Sequence, residues 1–463
     1  MKPFSFLLFV FALPILALSA AGRPNFIVIN IDDLGYADIG PFGSTLNRTP
    51  NLDRMAAEGM KLKCHYAAPV CSPSRSEMMT GCYPKRVLPI PGVLFPGAAV
   101  GLNPGEQTVA EVLKGAGYTT QIVGKWHLGD QPEFLPAAQG FDHYFGIPYS
   151  NDMGTAAEGS KSDLGEPLPK TVKAASAAAL KAAQGEDETG LKGNSQPPLP
   201  LVRDGKVVER VGADGQQSIT RRYTEEAVEF IRSSKARPFF LYLPHNAVHF
   251  PLYPGKAFYT KSKNGTYGDW VEEVDWSVGQ VLDALRELKL ESKTLVIFTS
   301  DNGGTQRAVN APLRGNKGST WEGGMRVPTI AWWPGKIAAG TATDEITSMM
   351  DVLPTFAGLA GAKMPERKID GADLWPLLNG GGSAKGPREV FYFYRGFKLE
   401  AVRSGPWKLQ LVGEGAPKNA AGKAGKKQAA KAEPLPRLYN LSDDIGESKN
   451  VAAEHADVVA RLQ

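Results

Sequence analysis

The stretch NFIVINIDD, residues 25–33, indicates the architecture of the protein, because it is a short, continuous apolar run that ends in two aspartates. PFFLYL (238–243) and TLVIFTS (294–300) are runs of the same kind. Strands that are apolar at nearly every position are buried on both faces, as in parallel sheets covered by helices. Segments with helical periodicity separate the runs, namely TVAEVLKGAG, YTEEAVEFIRSS and VDWSVGQVLDALREL. We therefore predict an α/β fold with a large, mostly parallel sheet flanked by helices on both faces.

Charged and metal-binding side chains follow several of the predicted strands. In sheets of this type, ligands gather beyond the carboxyl ends of the strands. The residues at these ends are Asp32 and Asp33 after the first run, Lys125 and His127 after YTTQIVG, His245 and His249 after PFFLYL, and Asp301 and Asn302 after TLVIFTS. The pattern predicts one functional site at a single edge of the sheet.

The two acidic pairs favour a metal site. A single pair after a strand is weak evidence, because acidic residues also cap helices at such turns. A second oxygen-rich pair, Asp301-Asn302, on another strand end strengthens the metal interpretation of Asp32-Asp33. Hard oxygen ligands suit calcium or magnesium, and neither pair has the Cys/His spacing of a zinc site.

Basic residues near the same edge indicate an anionic substrate. Arg75, Lys125 and Lys317 are suited to neutralising a phosphoryl or sulfuryl group while a divalent cation holds other oxygens. The tripeptide KWH taken alone is equally compatible with a packed turn. Together with the acidic pairs, it favours anion binding.

The N-terminal residues 1–21, MKPFSFLLFVFALPILALSAA, have the layout of a secretory signal peptide, with a lysine, an apolar stretch and small residues at the end. The alternative is a buried N-terminal helix, and Pro14 within the stretch argues against it. No later run is long and apolar enough to span a membrane. We expect an exported protein that is periplasmic, extracellular or in a lysosome-like compartment, depending on the host.

The composition of the remaining chain is that of a globular protein with two unusual segments. Its length favours two domains. The formal net charge is +4, and residues 416–434, with five lysines and one glutamate, account for this excess. We interpret this Lys-rich segment as a solvated loop and expect no nucleic-acid partner, because no arginine or aromatic residue is interleaved. A similar Ala/Lys-rich segment, about 155–196, is predicted to be an insertion.

The cysteine count is odd, since the chain contains Cys64, Cys71 and Cys82 alone. An exported protein with an odd count has at least one thiol that is unpaired or chemically used. Cys71 begins the stretch CSPSRSEMMTG, in which a proline follows after two residues and an arginine after four.

The motifs together resemble those of a known family. In chain order they are NFIVINIDDLGYADIG, CSPSRSEMMTG, GKWHLG, GFDHYFGIPYSNDMG, FFLYLPHNAVHFP, SDNGG and LRGNKGSTWEGGMRVP. With them the sequence resembles the formylglycine-dependent sulfatases of the alkaline phosphatase superfamily, and GIPYS is most similar to the arylsulfatase A branch. The resemblance extends from about residue 24 almost to the end of the chain. It implies hydrolysis of sulfate esters.

The resemblance also implies a domain division. We expect an alkaline phosphatase-like catalytic domain with a mixed, mostly parallel sheet over residues 22–379. A smaller domain over 380–463 is expected to contain an antiparallel sheet and a closing helix, with strands in EVFYFYRG, LEAVRSG and WKLQLVG.

Cys71 has a specific fate in proteins that this sequence resembles. A maturation enzyme reads Pro73 and Arg75 and oxidises the cysteine to formylglycine, whose hydrate is a gem-diol. One hydroxyl of the gem-diol attacks sulfur, and the other allows sulfate to leave afterwards, which divides a difficult step in two. Cys64 and Cys82 then remain, either as a pair or as buried thiols.

The metal ligands implied by the resemblance are Asp32, Asp33, Asp301 and Asn302, with the group derived from Cys71 completing the shell. Ca²⁺ is the implied ion, with Mg²⁺ as the alternative. Such an ion lowers the charge on the nucleophile and polarises the sulfate.

The resemblance assigns the remaining catalytic roles to basic residues. Arg75 is implied to hold the gem-diol, and Lys125 to bind sulfate. His127 resembles the base of the second step. His249 and Lys317 are implied to meet the bridging oxygen and assist the leaving alcohol.

Ser150 matches a polar sulfate contact of the arylsulfatase A branch. His245 precedes His249 by four residues, and in an extended segment both side chains are expected on the same side. The choice of His249 therefore comes from the family motif. The 155–196 insertion begins just beyond Ser150, and both substrate selection and a purely surface role are open for it.

Two alternatives to a sulfatase are a phosphatase or phosphodiesterase of the same superfamily and a non-catalytic sulfated-glycan binder with an unmodified cysteine. The first usually requires a serine or threonine nucleophile and a zinc pair, which do not match this residue set. The sequence does not distinguish an aryl sulfate from a sulfated carbohydrate, and it indicates no particular oligomeric state.

Overall fold

The computed structural model describes residues 22–155, 159–167, 197–381, 383–412 and 435–463. The predicted signal peptide and Lys-rich loop lie outside these residues, as does most of the predicted insertion. Within the described ranges, no helix combines the length and the apolar character needed to cross a membrane.

Most strands belong to one large sheet, which has 11 strands among the described residues. These strands are β1 (Asn25–Ile31), β2 (Met60–Tyr66), β3 (Thr119–Val123), β4 (His143–Gly146), β5 (Leu199–Arg203), β6 (Lys206–Val211), β7 (Phe239–Pro244), β8 (Thr294–Ser300), β9 (Arg326–Trp332), β10 (Thr341–Thr343) and β11 (Thr347–Ser348). They follow the spatial order β10-β2-β9-β8-β1-β7-β3-β4-β5-β6, and β11 pairs with β2.

The centre of this sheet is parallel. β1 pairs in parallel with β7 and β8, and β3 pairs in parallel with β7 and β4. β9 is antiparallel to β8 and β2, and β5 is antiparallel to β4 and β6. The predicted mixed, mostly parallel sheet is therefore confirmed.

Most of the nine described helices pack on the two faces of the large sheet. Their bounds are α1 (Pro50–Glu58), α2 (Cys71–Thr80), α3 (Val109–Gly115), α4 (Ala213–Ser234), α5 (Gly265–Glu287), α6 (Glu322–Met325), α7 (Val352–Ala360), α8 (Trp375–Asn379) and α9 (Ala456–Leu462). Side chains of β1 alternate between two buried cores, which is why its sequence is apolar throughout. Ile27 and Ile29 pack with α1, α4 and α5, whereas Phe26 and Val28 pack with α2, α3 and α7.

A second sheet lies in the C-terminal part and is antiparallel throughout. It is formed by β12 (Val390–Arg395), β13 (Lys398–Ser404), β14 (Trp407–Gln410) and β15 (Arg437–Asn440), in that spatial order. Val458 of α9 packs on Leu409 and Leu438 of this sheet. The predicted small antiparallel sheet with a helix is thus confirmed.

The carboxyl ends of the central strands are tied together by backbone hydrogen bonds. The Asp32 amide donates to Ala247 O at 2.8 Å, and the Asp301 amide donates to Ile31 O at 2.9 Å. The Lys125 amide donates to Pro244 O at 2.8 Å. The segments that follow β1, β3, β7 and β8 therefore meet at one edge of the sheet.

Candidate active site

Cys71 lies at the centre of this edge, at the first residue of α2. Its Sγ is 3.3 Å from Asp32 Oδ1, to which it donates, and it accepts a hydrogen bond from Lys317 Nζ at 3.2 Å. Every residue of α2 is buried. Burial raises the pKa of the Cys71 thiol, and Asp301 and Asp32 raise it further, so the thiol is protonated at neutral pH.

Four oxygen-bearing side chains surround Cys71, namely those of Asp32, Asp33, Asp301 and Asn302, and all four are buried. Asn302 Nδ2 donates to Asp33 Oδ1 at 2.8 Å, while Asn302 Oδ1 has no hydrogen-bond partner among the described residues. Ligand atoms of Asp32, Asp33, Cys71 and His249 all lie within 4.8 Å of one another. This donor set and the unpartnered amide oxygen fit a hard divalent cation.

The acidic side chains respond differently to burial. Burial alone would raise the pKa of Asp32, but Lys125 and the other basic groups around it hold it well below its usual range. The pKa of Asp301 is raised, first by burial and then by the charge of Asp32.

Arg75 lies one helical turn after Cys71, so that both side chains lie on the same face of α2. Its Nε and Nη2 atoms donate to Asp301 Oδ2 at 3.0 and 2.8 Å. Its Nη1 atom donates to Lys125 O at 2.5 Å. The guanidinium group therefore connects α2 to the ends of β3 and β8.

A chain of polar side chains runs from Asp32 through Lys125 and Ser150 to His249. Lys125 Nζ donates to Asp32 Oδ2 and, at 3.2 Å, to Ser150 Oγ. Ser150 Oγ is 3.2 Å from His249 Nδ1, and His249 Nε2 is 3.8 Å from Asp33 Oδ2.

Lys317 reaches the site from the loop between β8 and β9. Its Nζ is 2.5 Å from Asp33 Oδ1 in addition to its contact with Cys71. Burial alone would lower the pKa of Lys317, but Asp33 and the surrounding acidic groups raise it well above its usual range, so the ammonium ion is charged.

His127 has an open hydrogen-bonding position. Its Nε2 atom is 2.9 Å from Leu94 O, whereas its buried Nδ1 atom has no hydrogen-bond partner within the part of the chain that the structure describes. Burial lowers the pKa of His127, and the charges of Lys125 and Arg75 lower it further, so the imidazole is neutral. Since a carbonyl oxygen can only accept, the proton is on Nε2 and Nδ1 carries the free lone pair.

His245 lies outside this cluster, although it precedes His249 by only four residues. The chain turns after β7, and the His249 amide donates to Asn246 O at 3.0 Å. His245 Nε2 instead contacts Ser277 Oγ of α5 at 3.1 Å, and burial lowers its pKa to about 3. The expectation that the two side chains lie on the same side is therefore wrong, because the segment is not extended.

The structure thus brings all the other sequence-predicted site residues to one edge. Cys64 and Cys82, whose pairing the sequence left open, are both free and buried. Sequence reasoning missed the carbonyl of Leu94, which binds His127, because a backbone atom leaves no signal in the residue type.

Comparison with known proteins identifies the family. Residues 24–362 match the sulfatase family, and residues 386–463 match the family described as the C-terminal region of aryl-sulfatase. Arylsulfatase A of Homo sapiens is 38% identical over 452 residues, which cover 94% of this chain and 84% of that protein. N-acetylgalactosamine-6-sulfatase of Rattus norvegicus is 39% identical, with coverage of 86% of this chain and 74% of that protein.

Solved structures agree with this assignment. The PsFucS1 sulfatase from Pseudoalteromonas sp. superposes with a TM-score of 0.79 at 28% identity, covering 95% of this chain and 88% of the other. Ps i-CgsB gives a TM-score of 0.76 at 31% identity, covering 95% and 91%. The phosphonate monoester hydrolase of Agrobacterium radiobacter, at 19% identity, TM-score 0.61 and coverage of 95% and 94%, shares the fold alone. The chain therefore belongs to the sulfatase family and is a sulfuric ester hydrolase.

Proposed function

We propose that this hydrolase cleaves sulfate esters with a formylglycine derived from Cys71 and a calcium ion bound beside it. The observation that carries the proposal is the position of Cys71, whose Sγ lies between Lys317 Nζ at 3.2 Å and Asp32 Oδ1 at 3.3 Å. Formylglycine supplies a hydrated aldehyde, in which one hydroxyl attacks and the second permits release of sulfate. Cys64 and Cys82 do not share these contacts.

Asp32, Asp33, Asp301 and Asn302 would hold the calcium ion, or a magnesium ion in its place, together with the group derived from Cys71. The unpartnered Asn302 Oδ1 and the nearby carboxylates support this assignment. A bound divalent ion supplies Lewis-acid polarisation of the sulfate and neutralises negative charge.

Lys125 and Ser150 would bind the sulfate oxygens. Lys125 Nζ already donates to Ser150 Oγ at 3.2 Å, so one positive charge and one hydroxyl face the same volume. Arg75 would fix the geometry of this region, because its guanidinium group joins Asp301 to the Lys125 carbonyl.

His249 and Lys317 would assist the leaving alcohol. Both lie at Asp33, with His249 Nε2 at 3.8 Å and Lys317 Nζ at 2.5 Å from its carboxylate oxygens. His127 would serve as the general base of the later step, because its Nδ1 lone pair is free and the imidazole is neutral.

The mass of the tryptic peptide 64–75 tests the modification. This peptide contains both Cys64 and Cys71, so alkylation of Cys64 provides an internal control. In protein made in a host with a maturation enzyme, we expect Cys71 to show a loss of about 18 Da relative to the thiol, the difference between CH2SH and CHO. Active protein with two alkylated cysteines would overturn the formylglycine proposal.

The substrate is proposed to be an aryl sulfate or a sulfated carbohydrate. The similarity to arylsulfatase A and to N-acetylgalactosamine-6-sulfatase supports both classes. Sulfate release from an aryl sulfate and from 6-sulfated N-acetylgalactosamine should be compared, with the matching aryl phosphate as the control for phosphatase activity. Preferential hydrolysis of the phosphate would contradict the proposal.

We further propose that the catalytic domain spans 22–379 and the smaller domain 380–463, and that the protein is exported after loss of residues 1–21. A maturation enzyme that oxidises Cys71 would be its partner during synthesis. N-terminal sequencing of the exported protein tests the cleavage, since a start at Met1 would contradict it.

A further inference from the structure

A buried cluster of charged residues joins the second sheet to the loop that carries Lys317. Lys408 of β14 is fully buried, with 0% of its surface exposed. Its Nζ donates to Thr320 O and to Glu322 Oε1, each at 2.9 Å, and lies 2.8 Å from Glu447 Oε1. One ammonium ion from the C-terminal part therefore holds two residues just beyond Lys317.

Glu447 adds two further attachments to the same loop. Its Oε2 atom accepts a hydrogen bond from the Glu322 amide at 2.8 Å. Its main-chain carbonyl accepts one from Arg314 Nη1, also at 2.8 Å. Arg314 precedes Lys317 and stacks on Trp321, with the guanidinium carbon 3.7 Å from the ring centroid. The loop is thus attached to the C-terminal part on both sides of Lys317.

The loop needs such attachments because it contains no regular structure between β8 and α6. Around Lys317 two backbone hydrogen bonds hold it, one within the loop from Lys317 N to Gly304 O at 3.0 Å and one from Gly318 N to Pro69 O, two residues before Cys71, at 2.7 Å. A loop without a repeating backbone ladder takes its conformation from tertiary contacts. The position of Lys317 Nζ beside Cys71 and Asp33 consequently depends on both ends of the loop.

The charges of the cluster make the attachment geometrically specific. Glu322 is fully buried and faces Arg326 Nη1 at 3.3 Å and Arg403 Nη1 at 3.8 Å in addition to Lys408. A buried charge that loses a partner is strongly destabilised, so few alternative arrangements of these groups are accessible. In some proteins, buried polar clusters of this kind fix one geometry rather than add net stability.

We infer that Lys408 and Glu447 are positioning residues for sulfate ester hydrolysis, because they fix the loop so that Lys317 meets the reacting groups at Cys71. This inference rests on the role given to Lys317 in the proposed function. Neither residue contacts Cys71 itself. The effect that we infer for them on the reaction passes through Lys317.

A double-mutant cycle tests the inference. Lys408→Met keeps the length of the side chain and removes its charge and donors. We expect kcat/KM for an aryl sulfate, measured per formylglycine-containing molecule, to fall by about 10–100-fold, because the transition state loses part of its stabilisation. In a Lys317→Ala background, we expect Lys408→Met to change kcat/KM by less than about threefold, because coupled residues are not additive.

The other outcomes separate the two proposals. If Lys408→Met lowers kcat/KM by the same factor with and without Lys317, its role is structural and the positioning inference is wrong. If Lys317→Ala alone leaves kcat/KM at the wild-type value, the role of Lys317 in the proposed function fails first. Lys449→Met, at an exposed lysine near Glu447, is the matched control and should leave kcat/KM unchanged.

Glu447→Gln provides a second variant in case Lys408→Met does not yield folded protein. Glutamine keeps the shape and an acceptor for the Glu322 amide, while its neutral amide no longer balances Lys408. We expect a smaller fall in kcat/KM, about 3–10-fold, that again disappears in the Lys317→Ala background. An equal fall in both backgrounds would overturn the inference.

Discussion

Replacing His127 with asparagine tests the proposed base of the reaction. In the structure, the His127 imidazole is neutral and its Nε2–H group donates to Leu94 O at 2.9 Å, while no described residue donates to its Nδ1 lone pair. Asparagine is the suitable replacement because His127 has a φ of 62°, in the left-handed region. Asparagine tolerates this region because its short polar side chain can hydrogen-bond locally, whereas most other residues other than glycine lose about 1–2 kcal/mol there.

The expected magnitude has two parts. Loss of a general base lowers kcat by about 10²–10⁴-fold, which corresponds to about 3–5 kcal/mol of transition-state stabilisation. If the shorter amide does not reach Leu94 O, an unsatisfied buried carbonyl adds about 1–3 kcal/mol of destabilisation to the fold. The catalytic loss should therefore be larger than the loss of stability.

The assay compares the first turnover with the steady state, using a chromogenic aryl sulfate. Because the base acts after the alcohol has left, we expect about one equivalent of alcohol at the wild-type rate, followed by slow turnover. His65→Asn is the control, since it removes another buried imidazole, on β2, whose Nδ1 lies 2.9 Å from Thr347 Oγ1. A kcat within tenfold of wild type, or a first turnover slowed as much as the steady state, would refute the reasoning.

Three further predictions concern the metal, pH and backbone packing. Calcium added to chelator-treated protein at about 100 times its Kd should raise the free energy of unfolding by about 2.7 kcal/mol. Asn302→Ala should reduce this stabilisation in thermal unfolding. An unchanged stabilisation would show that Asn302 is not a metal ligand. Burial lowers the pKa of His65 to about 3 in the folded protein, whereas an exposed histidine in the unfolded chain has a pKa of about 6.5. Below pH 6.5 the unfolded state therefore binds a proton that the folded state does not bind, and the folded state loses stability. From pH 7 to pH 5, the wild type should lose about 2 kcal/mol more stability in denaturant unfolding than His65→Asn loses. Equal losses would show that His65 is not buried as a neutral ring. A β-carbon at Gly303 would lie 2.0 Å from Gly323 O, so Gly303→Ala should destabilise the fold by about 3 kcal/mol in thermal unfolding. Gly92→Ala is the control and should be neutral, because no described atom lies within 4 Å of a β-carbon at that position. Equal melting temperatures for the two variants would contradict the close approach at Gly303.

The large sheet and the location of the site were predictable because they follow from general rules about strands. An apolar run such as β1 must be buried on both faces, and the carboxyl ends of neighbouring parallel strands share one edge. Asp32 and Asp301 were therefore expected at the same edge, and they lie near each other because the structure pairs β1 with β8 in parallel. Their backbone bond, from Asp301 N to Ile31 O, expresses this adjacency.

The remaining features depend on contacts that no local pattern records. The side chains of His245 and His249 lie in different places because the chain turns between them, and the spacing of four residues carries no sign of this turn. Lys408 lies in the apolar context WKLQL, and its complete burial results from packing against a loop distant in sequence. The partner of His127 is a carbonyl, which every residue possesses.

The burial of Cys71 fixes an order of events during synthesis. The Cys71 side chain at the start of α2 is buried beneath the loop that carries Lys317, out of reach of another enzyme. Any enzyme that oxidises Cys71 must therefore act before the fold closes. The last attachments of that loop, Lys408 and Glu447, are near the C-terminal end, and a ribosome adding about 5–20 residues per second needs some tens of seconds to reach them after Cys71. The late position of Lys408 and Glu447 in the chain thus leaves the nascent polypeptide time for the proposed oxidation of Cys71 while that side chain is still exposed.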